Sequence, residues 1–392
     1  MVPAVTRLGL NSFRSYAALS LEIDPRPVVL TGPNGAGKTN LLEALSLLAP
    51  GRGLRRARLA DLDRRLGGEA GQPWTVAAGL RLPAGDMEIG TGREPGPESA
   101  GQETGRDRRV VKIDGRFVRG ASALAKLFSV AWLTPAQDRL FLDRAGERRR
   151  FLDRLVYGLD SDHAERVSAY DRAMSGRGHL LREPGSPDVA WLAALEAQMA
   201  EHGVAVAVAR RDLVARLNTV AAARASGPFP QPALTMTGGL ESWLDQAPAL
   251  AVEERLMAAL ADARPRDREA GGAAVGPHRS DLTVVLVAKN RPAAECSTGE
   301  QKALLIATLL AHARLVAAAR GLPPLLLLDE IIAHLDAARR AALFAELLAL
   351  GGQCWLTGQD EALFAEMGEA AQFLRLAEGL PVRRRDNNGA RS

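Results

Sequence analysis

The sequence predicts an α/β fold: a head built on a parallel sheet and split in sequence by a mainly helical arm. Three observations predict it. An apolar strand at residues 27–30 runs straight into a glycine-rich loop. A second apolar run, Leu325-Leu326-Leu327-Leu328, ends in two adjacent acids. Between them lies a long stretch whose apolar residues recur at helical spacing. The predicted division is a first part of the head over residues 1–128, a mainly helical insertion over 129–267, and a second part of the head over 268–392.

Residues 5–24 read as two strands, alternating at Leu8/Leu10 and Leu19/Leu21/Ile23 around the polar turn Asn11-Ser12-Phe13-Arg14-Ser15. The strand at 27–30 and a helix at 40–48 bracket the glycine loop. Residues 74–82 and 109–113 read as further strands. The segment between them, 83–108, is rich in Gly, Glu, Pro and Thr, and its middle is predicted to be a surface loop because it holds too little apolar area to order. From about 147 to 225 the pattern is helical, with Phe151, Leu152 and Leu155 on one face. The run 188–225, broken only by Gly203, would reach roughly 55 Å if straight. The segment SGPFPQP at 226–232 ends it, and Gly271, Gly272 and Gly276 lead back to a strand at 281–287, followed by a helix at 303–319 and the acid-tipped run.

At 392 residues, 47% hydrophobic and 24% charged, the composition excludes disordered and fibrous classes. No stretch of 18 or more uncharged apolar residues occurs, and the first residues show no basic region followed by an apolar core. Neither a membrane span nor a secretory signal is therefore expected, and the chain is assigned to the cytoplasm. Cys296 and Cys354 follow no metal-ligand or CxxC spacing and are expected to be buried, reduced thiols. The net charge of +4 is modest, but positive residues cluster at 51–58 (GRGLRRAR) and 144–154 (RAGERRRFLDR). Such patches suit a polyanion; a solvated charged surface would look the same.

The loop Gly32-Pro33-Asn34-Gly35-Ala36-Gly37-Lys38-Thr39, with Asn40 opening the helix after it, fits GxxxxGK[ST] in the strand–loop–helix context that gives the motif its meaning. Glycines let backbone N–H groups wrap phosphates at a helix N-terminus. Lys38 is placed to reach the β- and γ-phosphates of ATP and Thr39 to bind Mg²⁺. The buried run 325–328 would deliver Asp329 to the Mg²⁺ shell and Glu330, one residue on, to the attacking water as general base. Ser297-Thr298-Gly299-Glu300-Gln301-Lys302 resembles the signature of ABC ATPases, in which a serine and glycine amides bind the γ-phosphate of a nucleotide held by another protomer; an N-cap with a capping-box acid, Ser297 standing three before Glu300, would look similar. Ala333-His334-Leu335-Asp336 resembles the D-loop, with His334 read as an interface residue or a base. Cys354-Trp355-Leu356-Thr357 resembles the strand that carries the switch residue. Where transporters place a histidine, this chain offers Thr357-Gly358-Gln359-Asp360, which leaves Thr357 as a weak candidate sensor.

Several segments narrow the class to ABC/SMC-type heads and, within it, to one family. Leu10-Asn11-Ser12-Phe13-Arg14-Ser15-Tyr16, the run Gly37-Lys38-Thr39-Asn40-Leu41-Leu42-Glu43-Ala44 with Gly51-Arg52-Gly53 after it, Arg148-Arg149-Arg150-Phe151-Leu152-Asp153 and Gly276-Pro277-His278-Arg279-Ser280-Asp281-Leu282 all resemble the RecF family, over residues 5 to about 376. The chain departs from the family pattern at Arg177-Gly178, where an arginine–asparagine pair is usual. The resemblance implies a weakly hydrolysing, DNA-dependent ATPase of recombinational repair: an ATP-driven homodimer on double-stranded or gapped DNA that works with RecO and RecR to promote RecA loading. It also implies that Arg14 sits beside the nucleotide and that Gln137, in Thr134-Pro135-Ala136-Gln137-Asp138, takes the metal-side Q-loop position. Another SMC-like repair ATPase would share most of these features. A transporter subunit would share the P-loop and the acid pair, but Ser297 stands much further from Lys38 than a transporter signature does. A non-hydrolysing scaffold would be expected to lack Glu330.

Overall fold

The computed structural model describes residues 3–65, 71–96, 107–185, 188–224, 227–333 and 335–377, together with the backbone of 383–384. Packing divides the chain into two compact units, residues 1–137 with 312–392 and residues 138–311.

The first unit is built on two sheets. One runs Arg383–Arg384, Gln372–Arg375, Val28–Thr31, Cys354–Gly358, Leu325–Leu328, Val130–Leu133, parallel throughout except for the first pair. Strands drawn from both ends of the chain meet here because Val28, Val29, Leu30 and the four leucines of 325–328 are apolar on both faces, and burial is complete only with a neighbour on each side. The register sets Leu328 opposite Leu133 and Leu356, so Asp329 leaves the sheet level with Thr357. The other sheet is antiparallel, in the order Tyr16–Glu22, Ala4–Phe13, Thr75–Leu82, Gly85–Glu94, Arg108–Ile113, Arg116–Val118. The buried Gln353 ties the two together: its carboxamide oxygen accepts from the Val5 amide at 2.9 Å, and its nitrogen donates to the carbonyls of Val5 and Asp24.

The strand Gly85–Glu94 occupies the first part of the segment 83–108, whose middle, where a surface loop was expected, falls largely on 97–106. Its buried side, Ile89 and Thr91, is too short an alternation to read from sequence. It forms because Thr75–Leu82 and Arg108–Ile113 supply hydrogen-bonding edges on both sides, and because Arg93 bridges Asp63 at 2.7 Å and Asp107 at 2.9 Å. Residues 97–106 lie outside the described residues.

The second unit is mainly helical. Ala145–Tyr157, His163–Arg182 and the 34-residue helix Val189–Ala222, about 50 Å long, pack with Ala249–Asp262 and a small sheet, Arg291–Pro292, Asp281–Leu286, Pro232–Thr237. Asp188 caps the long helix by accepting from the amides of Ala190 and Trp191. Gly203 does not break it; a Cβ there would stand 3.0 Å from the Tyr170 ring, so the glycine allows a close helix crossing. The unit extends to residue 311, past the predicted boundary at 267, for a physical reason: Asp281–Leu286 pairs antiparallel with Pro232–Thr237, and Arg148 grips Asp281 with two hydrogen bonds of 2.8 and 2.7 Å. Two further polar clusters in the unit are buried. Asp153 accepts two hydrogen bonds of 2.7 Å from Arg210 and one of 2.9 Å from the His163 ring, and Arg210 also donates to the Pro277 carbonyl. Arg177, at the departure from the family pattern, joins Glu196, Asp267 and the carbonyl of Leu260. Both cysteines are buried and free, as expected.

Candidate active site

The strand Val28–Thr31 ends in the glycine loop, whose exposed crest is Pro33, Asn34 and Gly35, with Ala36 half-buried behind it. Two of its glycines are required by space and conformation. Gly32 has φ +143°, and a Cβ there would lie 2.2 Å from the Leu376 carbonyl oxygen. Gly37, at φ +96°, would bring one to 2.4 Å from the Tyr16 hydroxyl. Gly37 caps the helix Lys38–Ser46, which buries Leu41, Leu42, Ala44 and Leu45 completely, so the loop's amides are held at a fixed helix N-terminus.

Lys38 is buried, and its ammonium spans the loop, donating to the carbonyls of Gly32 at 2.7 Å and Pro33 at 2.9 Å. Burial lowers its pKa; Glu330 and Asp329, close enough to act on it, oppose that. Asp329 receives two hydroxyls on one carboxylate oxygen, from Thr39 at 3.1 Å and Thr357 at 2.8 Å, and its amide donates to Leu133. Glu330 follows with φ +51°, the left-handed region that residues with a Cβ adopt at a cost, and its amide donates to the Thr357 hydroxyl at 2.9 Å. Lys38, Thr39, Asp329 and Glu330 are thus brought together. Among the described residues no group of three His, Cys, Asp or Glu side chains could hold a metal alone. The hard oxygens of Thr39 and Asp329, side by side at the phosphate loop, fit Mg²⁺, which takes one or two protein ligands and completes its shell with phosphate and water.

The turn between the first two strands closes over the loop and its helix. Tyr16 donates to the Gly37 carbonyl at 3.2 Å, its phenol pushed up to about 12 by burial, and Ser15 accepts from the Asn40 amide nitrogen at 2.9 Å. Arg14 sets two 2.8 Å hydrogen bonds on Glu43, which is fully buried in the loop helix. Arg55 shares Glu43 at 3.2 Å and donates to Asn40 Oδ1 at 2.8 Å. Arg14 therefore stands in the shell around the loop, its guanidinium engaged by Glu43. Arg52 and Arg56, exposed nearby, are close enough that Arg52, after burial, helps lower the Arg56 pKa.

The other predicted residues are less directly placed. Gln137 follows the strand flanking the acid strand, and its carboxamide oxygen turns back to the Thr134 amide at 3.0 Å. Ser297 and Gly299 belong to the second unit. There Ser297 forms a full capping box for the helix Thr298–Arg320: its amide donates to Glu300 at 2.9 Å, its hydroxyl donates to the same carboxylate at 3.1 Å, and it accepts from the Glu300 amide. Lys289, then Ser297, hold the Glu300 carboxyl down at about 2. His334 lies outside the described residues. Sequence reasoning missed Glu43, although its i+4 position after Thr39 on the loop helix was legible. The Thr357 hydroxyl, read as a weak candidate sensor, donates to Asp329 and accepts the Glu330 amide.

Three comparisons with known proteins bear on this geometry. The family model described as RecF/RecN/SMC N terminal domain matches residues 4–375. The DNA replication and repair protein RecF of Mesorhizobium japonicum is 50% identical over 377 residues, 96% of each chain, and that of Rhizobium meliloti 49% over 376 residues, 96% of this chain and 97% of the relative. Among solved structures, the recombination mediator protein RecF of the RecFOR pathway, in its ATPrS form, matches with a TM-score of 0.82 at 19% identity over 98% of this chain and 99% of the other. Its ATP form matches with 0.80 at 20% identity over 98% of each. An Smc head domain with an extended coiled coil from Pyrococcus furiosus reaches 0.53 at 14% identity over 98% of this chain and 96% of the other. At these identities the structures bear on the fold, which they share with this head.

Proposed function

The chain belongs to the RecF family of DNA replication and repair proteins, and on that basis we propose that it is a DNA-dependent ATPase of recombinational repair and replication-gap processing, closing into a homodimer on duplex or gapped DNA when ATP is bound. The observation that carries this reading is the convergence of Lys38, Thr39, Asp329 and Glu330 at the ends of three neighbouring parallel strands and one helix N-terminus. The loop amides of residues 32–40 and the Lys38 ammonium bind the β- and γ-phosphates, Lys38 exchanging loop carbonyls for phosphate oxygens. Thr39 and Asp329 hold Mg²⁺, which when bound offsets the phosphate charge. The Glu330 carboxylate takes the proton of the attacking water. Ser297 and Gly299 of a second copy complete the site over the γ-phosphate, making turnover depend on dimer closure and therefore slow. Arg14 backs the loop through Glu43, and Gln137 acts on the metal side once it releases Thr134. RecO and RecR are the proposed partners in promoting RecA loading, in the cytoplasm.

The test is ATP hydrolysis measured without DNA and with single-stranded, duplex and gapped DNA. Stimulation by duplex or gapped DNA is expected. A rate indifferent to all three would overturn the reading.

A further inference from the structure

We infer that Thr357 is the positioning residue for Glu330, setting the base from the neighbouring strand through a hydroxyl that bonds the Asp329 carboxylate and the Glu330 backbone amide. This rests on the proposed role of Glu330 and goes beyond it. The Thr357 side chain is fully buried at the end of Cys354–Gly358, level with Asp329 across the parallel pairing. Its single hydroxyl does two things: it donates to Asp329 Oδ1 at 2.8 Å and accepts the Glu330 amide at 2.9 Å. The second bond falls where the main chain turns into the left-handed region, φ +51° at Glu330, a conformation that a residue with a Cβ keeps only when something holds it. Because Asp329 Oδ1 also accepts from Thr39 at 3.1 Å, one chain of hydrogen bonds runs from the phosphate-loop threonine through Asp329 and Thr357 to the backbone that aims Glu330.

The next residue cannot take over this task. A Cβ at Gly358 would lie 2.6 Å from the buried Phe364 ring, so no side chain fits there. The buried hydroxyl has no spare proton for a phosphate, since its one O–H is given to Asp329. Thr357 thus acts on the chemical step through Glu330 and leaves ATP binding to the loop. Losing its hydroxyl should lower kcat and spare the affinity for nucleotide.

The experiment compares T357V, T357S and E330Q in the full chain with duplex DNA, reading kcat and KM for ATP, the affinity for a fluorescent ATP analogue with Mg²⁺, and the melting temperature without nucleotide. T357V is expected to lose roughly 3- to 10-fold in kcat, the worth of the neutral hydrogen bond to the Glu330 amide, with KM and analogue affinity within about 2-fold of wild type. T357S, which keeps the hydroxyl, should recover most of the rate. T357V at wild-type kcat, or T357S as slow as T357V, would overturn the inference; so would a T357V defect confined to affinity or melting temperature. Should T357V fold too poorly for kinetics, T357C, near in shape and a weak donor, is read on the same scale. An E330Q variant that hydrolyses ATP like wild type sinks the base assignment itself, whereas an inactive E330Q beside a fully active T357V sinks the positioning role alone.

Discussion

Asp153→Asn should unfold the helical unit's central knot and leave the chemistry of the surviving molecules intact. Asp153 is the aspartate of the RRRFLD segment, buried under the bidentate Arg210 and the fully buried His163 ring. Burial alone would raise its pKa; the Arg210 charge and the hydrogen bonds of His163 and Arg210 outweigh it and bring the carboxyl to about 2. Against an ordinary value of 3.8, that shift corresponds to about 2 kcal/mol of stability at neutral pH. The asparagine also leaves Arg210 buried without its counter-charge, and removing one partner of a buried pair costs about 3–5 kcal/mol, a large share of the 5–15 kcal/mol typical of a whole protein. The sign with pH follows from the depressed carboxyl. Its contribution is complete above about 4 and is lost as pH falls toward 2, so the gap between wild type and D153N should narrow by about 2 kcal/mol over that window. Urea unfolding followed by far-ultraviolet circular dichroism, run for both proteins from pH 7 to pH 3, measures the gap, of which about 1 kcal/mol should be lost by pH 3. A difference under about 1 kcal/mol at pH 7, or one that does not move with pH, would refute the account. ATP turnover per folded molecule should match wild type, which would place this family-typical segment in the architecture.

Three further outcomes test the site. Glu330→Gln should keep ATP binding and lose roughly 10²- to 10⁴-fold in hydrolysis, so that ATP-driven dimers persist on DNA; stopped-flow phosphate release checks this. Replacing Arg52, Arg55 and Arg56 together by alanine should flatten the log–log dependence of DNA affinity on salt, by roughly 0.9 for each phosphate that is no longer neutralised, and an unchanged slope would move the DNA surface elsewhere. Ser297→Arg should bind ATP as a monomer, its own loop intact, and fail to dimerise by light scattering; dimerisation at the wild-type level would show that the motif serves only as the cap seen with Glu300.

What was legible in the sequence and what was not divides along the range of the interactions. The phosphate loop is contiguous: Gly32, Gly37, Lys38 and Thr39 must follow one another because a single turn of backbone makes the cradle, so eight residues suffice to read it. The acid strand was legible for the same reason, its four leucines and two acids being one local pattern. Thr357, by contrast, acquires its role only from the pairing of Leu328 with Leu356, two strands 28 residues apart whose alignment no local pattern states. Arg14 meets Glu43 across 29 residues, and the strand Gly85–Glu94 exists because its neighbours offer edges.

The RRRFLD and GPHR segments went the other way. The RecF resemblance rests partly on them, yet Arg148, Asp153, Pro277 and Asp281 are occupied with one another and with Arg210. Phosphate chemistry fixes the loop in every protein that uses it, which makes the loop a poor mark of one family. A buried polar knot is particular to one packing, since each partner left unmatched would cost several kcal/mol. The segments RRRFLD and GPHR therefore hold the helical unit in shape, while the phosphate loop and the acid strand follow a pattern shared by many phosphate-binding proteins.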